Sequence, residues 1–591
     1  MTLVRQAFIG VIVFLLAACH TTPAVRSPRA GLPAGPPEQS TAAARRGVDT
    51  GRDAHDSRST TASIAVTLRP AIEGRLGVGV EIVAAGDATL LRAWSRTSGA
   101  ADELGELVVR DEAGVIATRR DANRVELDRA PQGAVHVSYR CFVPSGRAAA
   151  NTLSVFSDHF VGAGETLLLL PDEYDDRPVS LSVAIDGSTL KLARAASSLG
   201  VGSTRAGQRI GRFLRRSTFM GGALGTAVFE APEGHDEGAW LGATAFDPRP
   251  VIGELAQVRT GFGDFFRDRD AEPMTYLIIG ESRREGEFTS SARAGSVLVQ
   301  VGAHDPWTAP LRVAVAQQML HAWIGGALWI GPTDREHEAE SAWFIDGVAR
   351  YLARRLLRKF GVLDSNEVRD EITVQIAEQA TSKYRLESTA RVASRVPDKA
   401  ARALLAARGA LYATLVDAEI RAASGGRRSL DEVIIALYRR ALDKRKALPA
   451  ADWVEALTLD LGSRGAAEYK RYIEMGEAIV LPDDALGACF RPARATYSRF
   501  ELGYDERATR DSIKRTVVGL DPAGPAFRAG VREGDIIDAA EYRAGRTDMP
   551  VRLTVLRQGK ALSLSYLPRD AERAAQGFTR VRDVPEERCD H

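Results

Sequence analysis

The residues Gln317 to His321 raise the question of chemistry first. Gln317 and His321 stand four apart, so a helix through TAPLRVAVAQQMLHAWIGGALW would carry both on one face. Two imidazoles at that spacing hold zinc, and a glutamate beside the first takes a proton from metal-bound water, the His-Glu-x-x-His arrangement. Here one position of the three is kept. Gln317 is a neutral, weak zinc ligand, because zinc prefers imidazole, thiolate and carboxylate. Gln318 stands where the general base would be and has no carboxylate to accept a proton. His321 alone has the right donor.

The elements that would position these residues follow from patterning. From Ser63 to about Ala196, short β-branched runs alternate with turn residues: SIAVTLRP, GRLGVGVEIVAA, GELVVRD, GVIATRR, AVHVSYRCFV, ETLLLLP and VSLSVAID. These predict an antiparallel β-sandwich. A mixed segment with strand-like GALGTAVFEAP and MTYLIIG comes next. Helices then dominate: the Gln317 helix, opened by Pro310, then SAWFIDGVARYLARRLLRKFG, RALLAARGALYATLVDAEIRAA, SLDEVIIALYRRAL and AADWVEALTLDLG. SLDE has the form of a capped helix start. Strands return from about Tyr497, as FELGYD, TVVGL, DIIDAA, VRLTVLRQG and ALSLSYL. A charged, loose tail is expected over 571–591.

The whole chain sets bounds. Its 591 residues suffice for several domains, and 45% hydrophobic with 26% charged residues is ordinary globular composition. A formal net charge of +1 gives no basis for nucleic-acid binding. No solenoid-period repeat is visible. Ala7–Ala17 is an apolar core too short for a permanent span. It leads into Leu16-Ala17-Ala18-Cys19, which resembles a bacterial lipobox. That implies a signal peptide over 1–18, acylation of Cys19, and a membrane attachment through lipid. His20 is not an aspartate, so the outer membrane, facing the periplasm, is the expected location. Residues 19–62, rich in Thr, Ala, Pro and Arg, read as a disordered tether. An oxidising compartment permits disulfides. Cys489 and Cys589 flank the last domain, which suggests a bridge, with free thiols at these and Cys141 as the alternative.

Two stretches, QQMLHAWIGGALWIGP with SAWFIDGVARYLA, and GALYATLVDAEIRAASGGRRSLDEVIIALY, resemble the glycyl aminopeptidase family of gluzincin-type zinc metallopeptidases. VVGLDPAGPAFRAGVREGDIID resembles bacterial PDZ domains. The resemblance implies a multidomain α+β chain: an N-terminal β-domain (63–205), a thermolysin-like α/β-plus-helical peptidase domain (206–495) and a C-terminal PDZ domain (496–570). It places the first zinc ligand on Gln317, the base on Gln318, the second ligand on His321 and the third on Asp346, one methylene shorter than the family's glutamate. The family's oxyanion tyrosine has no counterpart before Arg408-Gly409, and the stretch EFTSSARAGSVLVQVG, which falls where the family binds the substrate's amino end, has no histidine. Loss of a positioned base costs ~10²–10⁴-fold in rate. The expectation is therefore a pseudoenzyme that binds polypeptide or an envelope protein, with no cofactor. The alternative is an active metal-dependent aminopeptidase that completes a ligand set of His321 and Asp346 with His337, from the charged segment that also holds Glu338 and Glu340; His304 is expected to be structural or exposed. A third reading is a scaffold in which the sandwich and PDZ module matter. In the PDZ module, Leu502, Gly503 and Tyr504 match the carboxylate-binding loop, followed by a strand that would accept a peptide.

Overall fold

The computed structural model describes residues 62–589, except 72–75, 100–102, 144–152, 189, 191, 232–233, 269–270, 282–285, 335, 397 and 571. The expected signal peptide, tether and Cys19 lie outside the described residues. Among those described, no helix is long and apolar enough to cross a membrane.

Strand β1 (Ser63–Ala71) alternates half-buried and buried positions, with Ile64, Val66 and Leu68 turned inward. It lies between β2 (Gly77–Ala85) and β4 (Pro178–Ile185), and β3 (Val135–Phe142) pairs with the far edge of β2. They belong to a seven-stranded sheet that shares one core with a four-stranded and a five-stranded sheet. The expected antiparallel order needs correction, because β1 and β4 run parallel. Period-two alternation fixes which face is buried and says nothing of direction. Of ETLLLLP only the last two residues, Leu170–Pro171, form a strand, paired antiparallel with Trp94 and Ser95. Gly164–Leu167 forms one helical turn, and the Tyr139 hydroxyl bridges the Leu167 carbonyl and the Leu169 N–H at 2.8 Å each. The β-domain also extends past 205, since Thr218–Gly222 is a central strand of its five-stranded sheet.

The next sheet runs β5 (Gly225–Ala231), β6 (Gly234–Leu241), β7 (Thr275–Glu281), β9 (Ser296–Gly302), β8 (Thr289–Arg293) in spatial order. β6, β7 and β9 are parallel, and β8 is the antiparallel edge. One face of the sheet, through Tyr276, Ile278, Val297 and Val299, packs on α1 (Pro248–Phe266), α2 (Ala309–Leu320) and the helices that follow. The other, through Leu277, Ile279 and Leu298, meets Ala196 and Met220 of the β-domain.

The helical part comprises α3 (Ala349–Lys359), α4 (Ser365–Thr381), α5 (Lys399–Ser424), α6 (Leu430–Lys444), α7 (Ala450–Leu461) and α8 (Ser463–Glu468). α6 begins with the expected box: Ser429 caps the helix and Glu432 reaches back to its N–H at 2.8 Å. α5 runs 26 residues from an Asp398 cap to Gly425, whose φ of 62° ends it.

Two-stranded ribbon β10 (Phe490–Tyr497) and β14 (Arg573–Arg580) carries the last module. The expected loose tail is thus corrected: residues 573–580 pair along β10, where Phe578 is buried. Glu586 accepts from the Ser365 N–H at 2.8 Å, and Cys489 is joined to Cys589, closing the module's two ends. Within the module, β11 (Ile536–Glu541), β12 (Val551–Arg557) and β13 (Lys560–Tyr566) form a sheet over a small core. FELGYD is not a strand. Leu502 and Tyr504 enter the core, Gly503 has φ 85°, and Asp505 caps a helix, Glu506–Asp511, where the peptide-accepting strand was expected. TVVGL contributes a single bridge, Thr516 to Ile536.

Candidate functional site

α2 is shorter than its sequence suggests, ending at Leu320 with His321 as its C-cap. Beyond it the chain tightens: Trp323 donates to the Leu320 carbonyl at 2.9 Å, and Gly325 turns with φ 87°. Trp323 holds this turn in place, stacked on Phe266 at 5.5 Å and donating its indole N–H to Asp268 at 2.8 Å.

His321 therefore sits at a helix end, with its side chain 17% exposed. Its Nδ1 lies 3.2 Å from the Ile324 carbonyl. A carbonyl can only accept, so Nδ1 carries a proton in this contact. Nε2 faces Asp346 Oδ1 at 3.8 Å. The two side chains expected as second and third zinc ligands are thus neighbours, too far apart for a hydrogen bond.

Asp346 lies in a π-helical turn, Trp343–Val348, just before α3. That wider turn sits against α5. An added Cβ on Gly347 would meet the Gly409 Cα at 2.6 Å, and one on Gly409 would fall on the Trp343 carbonyl. The glycine pair lets two backbones touch, which fixes where Asp346 projects. Burial raises the Asp346 carboxyl above its ordinary range, opposed by His321 and by Arg402 of α5. Beside this contact Arg408 is fully buried, and its Nη2 donates to the Glu387 carbonyl at 2.7 Å and to that of Arg385 at 3.2 Å. That position is a strut between segments.

Gln318 shows what the base position does. Its Oε1 accepts from the Ala292 N–H at 2.8 Å. The amide is spent on the outer edge of β8, which has no strand beyond it among the described residues. Ser290, on the same face as Ala292, donates its hydroxyl to the Ala314 carbonyl of α2 at 3.3 Å. Gln317 is half-buried in the same helical turn.

Among the described residues, no three His, Cys, Asp or Glu side chains are grouped as a ligand set. His337 stands apart, half exposed, with Nδ1 2.6 Å from Asp334, whose hydrogen bond raises its pKa. Glu338 and Glu340 occupy a short 3-10 turn after it. Residue patterning alone did not single out Arg293 at the end of β8 or Arg402 near Asp346. Both belong to runs, SSARAG and KAARAL, with no motif spacing. Leu502, Gly503 and Tyr504 lie in the separate C-terminal module's core.

Protein-family models and curated proteins give no match. Among solved structures, this chain is similar to an aminopeptidase N family protein from Idiomarina loihiensis, at 14% identity over 87% of this chain and 98% of that one, with a TM-score of 0.62. An M1 zinc metallopeptidase from Deinococcus radiodurans is 15% identical over 71% of this chain and 95% of that one, with a TM-score of 0.46. Legionella pneumophila aminopeptidase A, solved with aspartic acid, is 9% identical over 87% of this chain and 56% of that one, also at 0.46. At these identities the likeness is one of fold: a mixed α+β, multidomain chain with an aminopeptidase-type architecture.

Proposed function

We propose that this protein is a non-catalytic polypeptide-binding lipoprotein of the bacterial envelope, built on a glycyl aminopeptidase-like architecture. One observation carries the reading: the general-base position holds an amide, and that amide is bound to the β8 backbone through Ala292. An amide takes no proton from water, and Gln317, His321 and Asp346 supply too weak a donor set for zinc.

What the fold retains is an open strand edge beside the former site. A peptide laid along β8 would pair with its outward N–H and carbonyl groups by β-augmentation. Its carbonyl would take the Ala292 N–H from Gln318, exchanging one hydrogen bond for another at little net cost. The Leu502–Gly503–Tyr504 module is assigned a structural role in this reading. Lipid at Cys19 would hold the protein at the outer membrane with the cleft facing the periplasm.

The test is hydrolysis. The mature chain, with and without added zinc, is incubated with p-nitroanilides of glycine and alanine. The reading predicts release no faster than in buffer. Turnover that a chelator abolishes would overturn it and favour the metallo-aminopeptidase with a non-standard ligand set.

A further inference from the structure

The end of β8 carries a cation with little to hold it. Arg293 is the last residue of the strand and pairs with Ser296 of β9. Its side chain alternates to the face that Leu298 turns toward the β-domain, and there Nη1 meets Glu165 Oε1 at 3.5 Å. The side chain is 10% exposed, and its Nε is buried without a hydrogen-bond partner among the described residues. A guanidinium offers five donors in a fixed fork, and a buried charge needs paired, hydrogen-bonded company.

Several other buried arginines of this chain make more and shorter hydrogen bonds than Arg293, though Arg259 and Arg408 also each leave one buried nitrogen without a partner among the described residues. Arg259 donates to Asp236 at 2.8 Å, Arg215 to Asp175 at 2.6 Å and to the Leu170 carbonyl at 3.0 Å, and Arg354 to Gln375 at 2.9 Å and Thr414 at 2.8 Å. Among the described residues Arg293 has one hydrogen-bond contact, at the outer limit of such a bond.

Its place on the strand says what would complete it. The Ala292 N–H faces outward to Gln318, and the Ala294 N–H is closed by the Arg216 carbonyl at 3.2 Å. A strand added to this edge cannot run past that carbonyl, so it ends beside Arg293. An ammonium there would meet a like charge; a carboxylate would meet an unfilled fork. We propose that Arg293 anchors the C-terminal carboxylate of a polypeptide lying parallel to β8. This rests on the polypeptide-binding reading above and names the chain end which that site takes.

The probe is a hexapeptide library of neutral residues with a matched set that carries one aspartate or glutamate, N-terminally acetylated and prepared both as free acid and as carboxamide. Retention on the immobilised mature chain is read by mass spectrometry. The free acids are expected to be retained about tenfold over the amides. Arg293→Met should erase the difference, Arg293→Lys should restore part of it, and Glu165→Gln should enlarge it by removing the competing anion. Circular dichroism checks that each variant is folded. Equal retention of acids and amides overturns the carboxylate anchor while polypeptide binding stands. Retention of neither overturns both. Amides that bind only when they contain aspartate or glutamate overturn the assignment to the chain end.

Discussion

Glu419 of α5 and Glu468 at the end of α8 form a buried acid pair whose cost should be visible in the pH dependence of stability. Arg464 reaches both, donating to Glu419 and, at 2.8 Å, to Glu468. Their side chains are 6% and 12% exposed, and the second oxygen of each is buried without another donor among the described residues. Burial first, and Glu468 second, push the Glu419 carboxyl from 4.5 up to about 8, with Tyr472 nearby. The folded protein then holds a proton that the unfolded chain releases at ordinary pH. Native protons exceed unfolded ones between pH 4.5 and about 8, so stability falls as pH rises through that window and levels off above it. At ~1.4 kcal/mol per pH unit the loss is on the order of 3–5 kcal/mol. Glu419→Gln removes the titration while keeping an oxygen for Arg464 and adding donors for Glu468. The variant should match the parent at pH 4.5 within about 1 kcal/mol and exceed it at pH 9 by ~2–4 kcal/mol. Urea unfolding of both proteins at the two pH values measures this. Parallel pH slopes in parent and variant would refute the argument.

Gln318→Ala uncovers the Ala292 N–H, so acetylated peptides should bind ~2–10-fold more tightly in the retention assay, the worth of one exchanged hydrogen bond. Gly409→Ala forces a methyl onto the Trp343 carbonyl, and should cost about 3 kcal/mol or more in urea unfolding and displace Asp346 from His321. Cys489→Ser opens a loop spanning 100 residues, so unfolding should be easier by ~2–5 kcal/mol under oxidising conditions, with parent and variant converging once a reductant is added.

What the sequence reveals and conceals follows from the kind of signal each element carries. α6 is legible because its box, Ser429 with Glu432, and its apolar spacing are both local. β1 is legible because alternation of Ile64, Val66 and Leu68 is local too. β14 is not: RAAQGFTR is polar on its own and becomes a strand only because β10 lies beside it, under a disulfide from Cys489 to a residue 100 positions away. FELGYD reads as a strand by its apolar content, yet Leu502 and Tyr504 are spent on the module's core and Asp505 caps a helix. At the candidate site, the identities of Gln317, Gln318, His321 and Asp346 are plain in the chain. Their geometry is not, because α2 stops at Leu320 and the turn carrying Asp346 widens where Gly347 meets Gly409. Both depend on contacts between elements far apart in sequence. The partner of Gln318 is likewise a backbone N–H 26 residues upstream, which no residue type announces.

The measurement that bears most directly on the central claim is zinc content, by elemental analysis, of the mature chain after exposure to zinc and desalting, with His321→Ala as control. The account predicts no stoichiometric zinc in either protein. Near-stoichiometric zinc in the parent that disappears in His321→Ala would contradict it, and would return the His321–Asp346 pair to a metal centre.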